Sequence, residues 1–134
     1  MARTRKKNAS VSDNAKRRVS VQYRDIGEIT PYERNPRDNE AAVQSVANSI
    51  RTFGFVVPII VDRQGVIVAG HTRYEAALSL GLTEVPIIQA IHLSNQQIKQ
   101  FRIIDNKVSE LARWDFDLLS SELSALQDSG LYPQ

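Results

Sequence analysis

The feature that most constrains this chain is a short apolar run that stops at a glycine and is followed by a helical pattern. Val66–Ala69 is apolar and mostly β-branched, which predicts a buried strand, and Gly70 follows it directly. Beyond the glycine, Tyr74, Ala77 and Leu78 recur at the three- and four-residue spacing of a helix. The sequence therefore predicts a strand, a glycine turn and a helix in succession.

A helix that begins at such a turn is suited to bind an anion. Its first backbone N–H groups have no partner within the helix, and the positive end of the helix dipole lies there. Arg73 falls in the first turn, where its planar guanidinium matches two phosphate oxygens. The alternative is an ordinary turn glycine with solvated side chains around it, since short glycine motifs recur by chance. The candidate phosphate-binding residues are Gly70, His71, Thr72 and Arg73.

The composition indicates one folded domain with a tail. The chain has 134 residues, of which 42% are hydrophobic and 24% charged, as in ordinary globular proteins. It contains no apolar run long enough to span a bilayer and no signal-peptide pattern, so we expect a cytoplasmic protein with no membrane partner. With no cysteine and only two histidines, disulfides, thiolate zinc sites, cysteine nucleophiles and histidine-rich metal sites are excluded.

The net charge of +2 conceals an uneven distribution of charge. Eight of the 17 basic residues lie in the first 24 positions, beside one acidic residue, so the rest of the chain is acidic. Residues 1–18 also lack apolar periodicity, which predicts a disordered basic arm. Such an arm binds nucleic acid phosphates without reading sequence; the alternative is a solubilising end. The candidate DNA-binding residues are Arg3, Arg5, Lys6, Lys7, Lys16, Arg17 and Arg18.

Residues 19–130 are predicted to form one α/β domain with a small mixed sheet and packed helices. The predicted strands are a half-buried one carrying Val19, Val21 and Tyr23, one from near Pro58 to Val61, its hairpin partner Val66–Ala69, and one over Val85–Ile91. Before the second strand, Asn35-Pro36-Arg37 lies in a loop in which the proline fixes the backbone beside Arg37. Arg37 either contacts a ligand or is a solvated loop charge.

Helical periodicity predicts four helices. The first begins at Asp38 or Asn39 and ends at Gly54, and the second runs from the Gly70 turn to Gly81. Ser94 and Gln97 form a capping box for the third, and Asp115 caps the fourth, which ends at Gly130. The predicted apolar stripes are Val43, Val46, Ala47, Ile50 and Phe53 in the first, Ile98, Phe101, Ile104, Val108 and Leu111 in the third, and Leu118, Leu119, Leu123 and Leu126 in the fourth.

Several of these features occur together in one order that resembles a known superfamily. They are Asn35-Pro36-Arg37, the helix ending at Gly54, Pro58-Ile59, Ile67–Arg73, Asp105-Asn106-Lys107 and Trp114-Asp115. Together they resemble the ParB/sulfiredoxin-like superfamily, and within it the ParB N-terminal-like domain of phages and mobile elements, often labelled a ParB-like nuclease domain. The resemblance covers about Val19 to Asp117. It implies a compact α/β fold whose glycine-arginine turn binds nucleotide phosphates, CTP in chromosome-partition members and ATP in sulfiredoxins.

The resemblance also implies roles for individual residues. Gly70 and Arg73 match the phosphate-binding turn, and His71 occupies a position where relatives often have Glu or His. Asp105 and Asn106 match a motif that helps ParB proteins hold the triphosphate and its metal, which makes Asp105 the candidate Mg²⁺ ligand and Asn106 a nucleotide ligand. The segment that borders the nucleotide is matched by Gly54 and Pro58.

Two departures limit what the resemblance implies. Sulfiredoxins need a cysteine in this turn, and its absence excludes reduction of sulfinic acids. The chain stops at Gln134, before the helix-turn-helix and dimerisation domain of partition proteins, so we expect no specific recognition of a centromere-like site.

Three functional hypotheses follow from the sequence. The first is a DNA-associated domain that binds CTP or ATP with Mg²⁺, with Arg37 as a second anion contact and His71 as a proton carrier if hydrolysis occurs. The second is a nuclease, and the third a non-enzymatic adaptor that contacts DNA through its basic arm. The first hypothesis implies two binding partners, DNA and a nucleoside triphosphate. All three hypotheses are compatible with a homodimer or with a DNA-modifying partner protein.

Overall fold

The computed structural model describes residues 12–33, 40–111 and 116–128. The chain divides into two compact units, Met1–Arg102 and Ile103–Gln134. The predicted boundaries, an arm over 1–18 and a domain over 19–130, stay predictions. The elements in order are α1 (Asp13–Lys16), β1 (Gln22–Asp25), a 3-10 turn (Ile26–Glu28), α2 (Glu40–Phe53), β2 (Ile59–Val61), β3 (Ile67–Ala69), α3 (His71–Ser79), β4 (Glu84–Gln89), α4 (Asn95–Leu111) and α5 (Phe116–Asp128).

The strands form the predicted small mixed sheet, in the order β1-β4-β2-β3. β2 and β3 are the antiparallel hairpin predicted from the turn at 62–65, and β2 runs parallel to β4 with Ile59 opposite Ile87. β1 closes one edge antiparallel to β4. On the other edge, Thr30 forms an isolated parallel bridge with Val66. The α/β fold class predicted from the sequence is confirmed.

The core lies on both faces of this sheet, because successive strand residues point to opposite sides. Ile67 belongs to one buried cluster, which it shares with Ala77 of α3 and the β2 residues Ile59 and Val61. The next residue, Val68, belongs to a second cluster, which it shares with Ala90, just after β4, and with Ile98 of α4. On the first face, α2 packs against α3. β3 is therefore held from both sides at the point where it delivers the chain to Gly70.

The strand predicted around Val21 exists, but its predicted half-burial is wrong. Val19, Val21 and Tyr23 are 58%, 54% and 65% exposed. The physical reason is position: β1 is an edge strand, and both core clusters of the described residues are built on β2, β3, β4 and the helices above them. Alternation alone does not distinguish a half-buried strand from an exposed edge.

Each of the three predicted helical stripes includes a residue that is exposed in the structure. α2 ends at Phe53 before Gly54 as predicted, yet Phe53 is 68% exposed, whereas Ala47 in its middle is buried. Ile104 in α4 and Leu118 in α5 are also exposed, at 60% and 61%. Gly81 ends α3 as predicted: its φ is 72°, its N–H donates to the Leu78 carbonyl at 3.1 Å, and the Leu82 N–H donates to the Ala77 carbonyl at 3.0 Å.

The N-terminal caps predicted for the helices can be compared with the structure where it describes them. The predicted capping box of α4 is confirmed: Ser94 Oγ accepts from the Gln97 N–H at 3.1 Å, and Gln97 Oε1 accepts from the Ser94 N–H at 2.9 Å. The predicted caps Asp38, Asn39 and Asp115 lie outside the described residues, as do Trp114 and Gly130.

The N-terminal region contains more local structure than its composition predicts. Asp13–Lys16 forms a single helical turn, in which Ser12 Oγ accepts from the Ala15 N–H at 3.1 Å. The expectation of no fixed structure is therefore wrong for these four residues, because a serine cap supports a turn without any apolar stripe. Across the described ranges, no helix is long and apolar enough to cross a membrane.

Candidate functional site

Gly70 joins β3 to α3 in a conformation that favours glycine. Its φ of 112° and ψ of 25° lie in the left-handed region. Its carbonyl accepts from the Tyr74 N–H at 2.9 Å, which starts the helix. No side chain in the described part of the chain caps the N-terminus of α3. The first amides of this helix are therefore not satisfied by a cap of the usual Ser, Thr, Asp or Asn type.

Arg73 packs directly behind this turn. Its Nη2 donates to the Pro58 carbonyl at 2.9 Å, and its Nε is buried. A Cβ built on Gly70 would lie 3.1 Å from Arg73 Nη2 and 3.3 Å from Ile59 Cα. The turn, the guanidinium and the start of β2 thus pack closely together, which explains the glycine at position 70. Arg73 is not the solvated surface charge of the alternative interpretation.

His71, the first residue of α3, is held as a hydrogen-bond acceptor. Its Nε2 accepts from the Tyr32 backbone N–H at 3.1 Å, which places the proton of the neutral ring on Nδ1. Burial, with a smaller contribution from the positive charge of Arg102, lowers the pKa of His71 from 6.5 to about 4. The ring is therefore neutral at pH 7, whereas a proton carrier works best with a pKa near the operating pH.

Arg102 of α4 is the site residue that the sequence did not reveal. Its Nε and Nη2 donate to the Ile67 carbonyl at 3.2 and 3.0 Å, and Nη2 lies 3.7 Å from Asp62 Oδ2. Its Cζ lies 3.9 Å from the centre of the Tyr32 ring, in cation–π geometry. One signal was present: Arg102 lies four residues after the buried Ile98, so it falls on the inward stripe of α4, where a charge needs partners.

A cleft of about 490 Å³ opens beside Arg102. Asp62 belongs to its wall and is itself fixed, because its Oδ1 accepts from the N–H groups of Gln64 and Val66 at 2.8 and 2.9 Å. The wall thus combines an aromatic ring with charges of both signs. The residues that line it are Thr30, Pro31, Tyr32, Glu33, Asp62, Val66 and Arg102.

The remaining candidate residues do not all join this site. Gly54 has a φ of 91° at the end of α2, where a Cβ would meet no described heavy atom within 4 Å. Asp105 is exposed and Asn106 half-buried in the second unit, so their proposed shared site with the turn stays a prediction. Arg37 and the arm residues Arg3, Arg5, Lys6 and Lys7 lie outside the described residues, whereas Lys16, Arg17 and Arg18 are exposed.

The metal prediction rests on few ligands. Within the described ranges, no group of three or more His, Cys, Asp or Glu side chains comes together in a way that could hold a metal ion. A Mg²⁺ ion at this site would therefore depend on phosphate oxygens and water in addition to one carboxylate, which is how Mg²⁺ usually binds with nucleotides.

Sequence comparison finds relatives of this chain among known proteins. The ParB N-terminal domain family matches residues 8–107. The ParB-like nuclease domain-containing protein YnaK of Escherichia coli (strain K12) is 35% identical over 81 residues, which cover 60% of this chain and 93% of YnaK.

Solved structures show the same fold. ParB from Caulobacter crescentus, crystallised with CTP-gamma-S, superimposes with a TM-score of 0.69 and 25% identity over 82% of this chain and 64% of that one. The same ParB complexed to the centromeric parS site gives a TM-score of 0.52 at 27% identity over 63% of this chain and 46% of that one. Sulfiredoxin from Arabidopsis thaliana gives 0.52 at 22% identity over 61% of this chain and 96% of that one. This chain thus spans less than two thirds of those ParB chains.

The mixed sheet and the glycine turn at the start of α3 define a protein of the ParB/sulfiredoxin fold. Within that fold, the chain belongs to the ParB N-terminal domain family.

Proposed function

We propose that this chain is a DNA-associated domain that binds the phosphates of CTP or ATP, together with Mg²⁺, at the turn from Gly70 to Arg73. The observation that carries the proposal is a helix that starts at a left-handed glycine without a side-chain cap and has a guanidinium packed behind that glycine. An anion at this position interacts with the first amides of α3, the positive end of the helix dipole and the Arg73 charge. The ParB structure with CTP-gamma-S supports a nucleotide as that anion.

The remaining assignments follow the family resemblance. Arg37 would supply a second anion contact, Gly54 would border the nucleotide, Asn106 would contact the phosphates and Asp105 would hold Mg²⁺. Thr72 would contribute its backbone amide within the first turn of α3. Because the pKa of His71 is lowered to about 4, we assign this residue to holding Tyr32 rather than to moving a proton. Nucleotide hydrolysis by this chain would require a different proton acceptor.

DNA is the second proposed partner. Lys16, Arg17 and Arg18 are exposed, so their charges are accessible to a phosphate backbone. The crystal structure of ParB on parS supports DNA as a ligand within this family. We propose that the basic arm binds DNA phosphates without reading their sequence.

Isothermal titration of the purified chain with CTP and with ATP, each in the presence of Mg²⁺, tests the nucleotide proposal. We expect saturable binding that Arg73→Ala weakens at least about tenfold, which corresponds to about 1.4 kcal/mol. Because Arg73 also donates to the Pro58 carbonyl, the variant needs a matched control. Arg63→Ala provides one, since Arg63 donates to the Ile91 carbonyl in a different part of the fold. Unchanged affinity in a folded Arg73→Ala protein would defeat the assignment.

A second candidate function, DNA hydrolysis, is favoured by the similarity to YnaK, whose name includes a ParB-like nuclease domain. Phosphodiester hydrolysis usually requires two metal ions or a strong base near the phosphate. The described residues provide no cluster for the first, and the lowered pKa of His71 weakens the second. Incubation with supercoiled plasmid and Mg²⁺ or Mn²⁺ distinguishes the functions: nicking that His71→Ala abolishes would favour the nuclease, and nicking that persists in it would indicate a contaminant.

A further inference from the structure

The open edge of β3 begins to pair with the segment that follows the 3-10 turn. The Thr30 N–H donates to the Gly65 carbonyl, and the Ile67 N–H donates to the Thr30 carbonyl, both at 2.9 Å. This is the pattern of a parallel ladder. If the ladder continued by one step, the Tyr32 N–H would donate to the Ile67 carbonyl.

That next bond is replaced by two side chains. The Tyr32 N–H donates to His71 Nε2 at 3.1 Å, and the Ile67 carbonyl accepts from Arg102 Nε and Nη2 at 3.2 and 3.0 Å. Each backbone group that the ladder would have paired has therefore found a different partner, so neither carries the cost of an unsatisfied polar group. The segment leaves the sheet at this point, and the cleft beside Asp62 opens there.

Arg102 is itself fixed from several sides. In addition to the Ile67 carbonyl, it contacts the Asp62 carboxylate at 3.7 Å and the face of the Tyr32 ring at 3.9 Å. One helical turn earlier, the buried side chain of Ile98 anchors α4 in the core. Arg102 thus holds both the carbonyl that Tyr32 would otherwise pair with and the Tyr32 ring itself.

We propose that Arg102 is a positioning residue for the phosphate turn, acting through Tyr32 on His71. This inference rests on the proposed function. By occupying the Ile67 carbonyl, Arg102 keeps the Tyr32 N–H available to His71, which fixes the first residue of α3. It also fixes the point from which the chain continues into Asn35-Pro36-Arg37. Without Arg102, the Tyr32 N–H pairs with the Ile67 carbonyl, the bond to His71 is lost and the cleft closes.

NMR spectroscopy of the isotope-labelled full chain tests this inference without any ligand. In the wild type we expect a scalar coupling across the hydrogen bond from the Tyr32 amide to His71 Nε2. In Arg102→Met this coupling disappears and one from the Tyr32 amide to the Ile67 carbonyl replaces it. The affinity for CTP with Mg²⁺, measured on the same variant, falls about tenfold because the start of α3 is no longer fixed.

Arg63→Met is the matched control. Arg63 also donates Nε and Nη2 to one backbone carbonyl, that of Ile91, at 3.0 and 2.6 Å. Its loss is expected to leave the Tyr32 coupling and the affinity unchanged. If Arg102→Met does not fold, Arg102→Lys takes its place: it keeps the charge but lacks the planar fork, and we expect a weakened coupling.

A Tyr32–His71 coupling of wild-type strength in folded Arg102→Met, or in folded Arg102→Lys where that variant takes its place, would overturn the inference. Equal effects in the Arg63 control would do so as well. Failure of the wild type to bind CTP or ATP would overturn the proposed function, and with it the positioning of a phosphate site. Replacement of the coupling to His71 Nε2 by the coupling to the Ile67 carbonyl would still show that Arg102 keeps the Tyr32 N–H hydrogen-bonded to His71.

Discussion

At the scale of single residues, Gly70 is a position where the fold tolerates little change. Its φ of 112° strains any other L-residue, and an added Cβ would crowd Arg73 Nη2 at 3.1 Å and Ile59 Cα at 3.3 Å. We expect Gly70→Ala to lower the free energy of unfolding by about 1–3 kcal/mol and to displace Arg73 from the Pro58 carbonyl. Chemical denaturation measures the loss of stability, and nucleotide titration tests whether the displacement of Arg73 also weakens the proposed phosphate binding.

Gly81→Ala separates backbone strain from crowding. Gly81 has a φ of 72°, but a Cβ there would meet no heavy atom of the described residues within 4 Å. This variant should therefore lose only about 1 kcal/mol, the cost of the left-handed conformation. Equal losses in the two alanine variants would contradict the close packing that we assign to the Gly70 turn.

His71 makes the stability of the fold depend on pH. Burial lowers the pKa of His71 from its ordinary value of 6.5 to about 4 in the folded protein, so the unfolded chain binds the proton more tightly. The stabilisation is fully present above pH 6.5 and is lost as the pH falls from 6.5 towards 4. After allowance for solvent screening of a partly exposed ring, we expect the free energy of unfolding to fall by about 1–2 kcal/mol across this window. Urea denaturation at a series of pH values measures it.

His71→Gln identifies the source of that pH dependence. Glutamine does not titrate, and its side-chain carbonyl retains an acceptor for the Tyr32 N–H. The difference in pH dependence between the wild type and this variant isolates His71 from the other groups that titrate. If the two curves run parallel between pH 4 and 6.5, His71 is not the responsible group.

At the scale of the elements, the start of α4 depends on its capping box. Ser94 and Gln97 satisfy each other's backbone N–H groups at 3.1 and 2.9 Å. We expect Ser94→Ala to destabilise the protein by about 1 kcal/mol, because α4 contributes the buried Ile98 to the core. Thermal or urea unfolding followed by circular dichroism gives the value.

Ser12→Ala removes the same kind of serine cap from α1, a helix that has no buried residue. Ser12 caps α1 through one bond at 3.1 Å, but α1 has four residues and none of them is buried. The loss of this cap should leave global stability unchanged within about 0.5 kcal/mol. A large effect at Ser12 would mean that α1 contributes to the fold more than its exposure indicates.

The same elements show what the sequence could predict. The hairpin of β2 and β3, the Gly70 turn and the Ser94 cap depend on neighbouring residues, so local patterns specify them. The features that the sequence did not predict depend instead on residues that are distant in the chain. Phe53 and Tyr23 carry the correct periodicity, but their burial depends on whether a distant element covers them. Arg102, Tyr32 and His71 meet across 31 to 70 positions of sequence, and no local spacing encodes such a cluster.

At the scale of the whole molecule, the separation of charge suggests two anion-binding regions with different properties. Seven basic residues fall within positions 1–18 of the sequence, and the three that the structure describes, Lys16, Arg17 and Arg18, are exposed. Arg73, in contrast, packs behind the Gly70 turn. Deletion of residues 1–18 should therefore weaken DNA binding and flatten its salt dependence, by at most about six units of log–log slope. Fluorescence anisotropy with a labelled duplex at several salt concentrations measures both quantities.

The same deletion also tests whether the two regions act independently. The described residues among those removed are exposed, so the deleted chain should unfold at the temperature of the full chain. Its affinity for CTP or ATP should also stay the same, because Gly70, Arg73 and their contacts lie within the retained sheet and helix. If the deletion reduced nucleotide affinity instead, the arm would take part in the phosphate site. Replacing only Lys16, Arg17 and Arg18 by glutamine would then show whether charge, rather than chain length, is responsible.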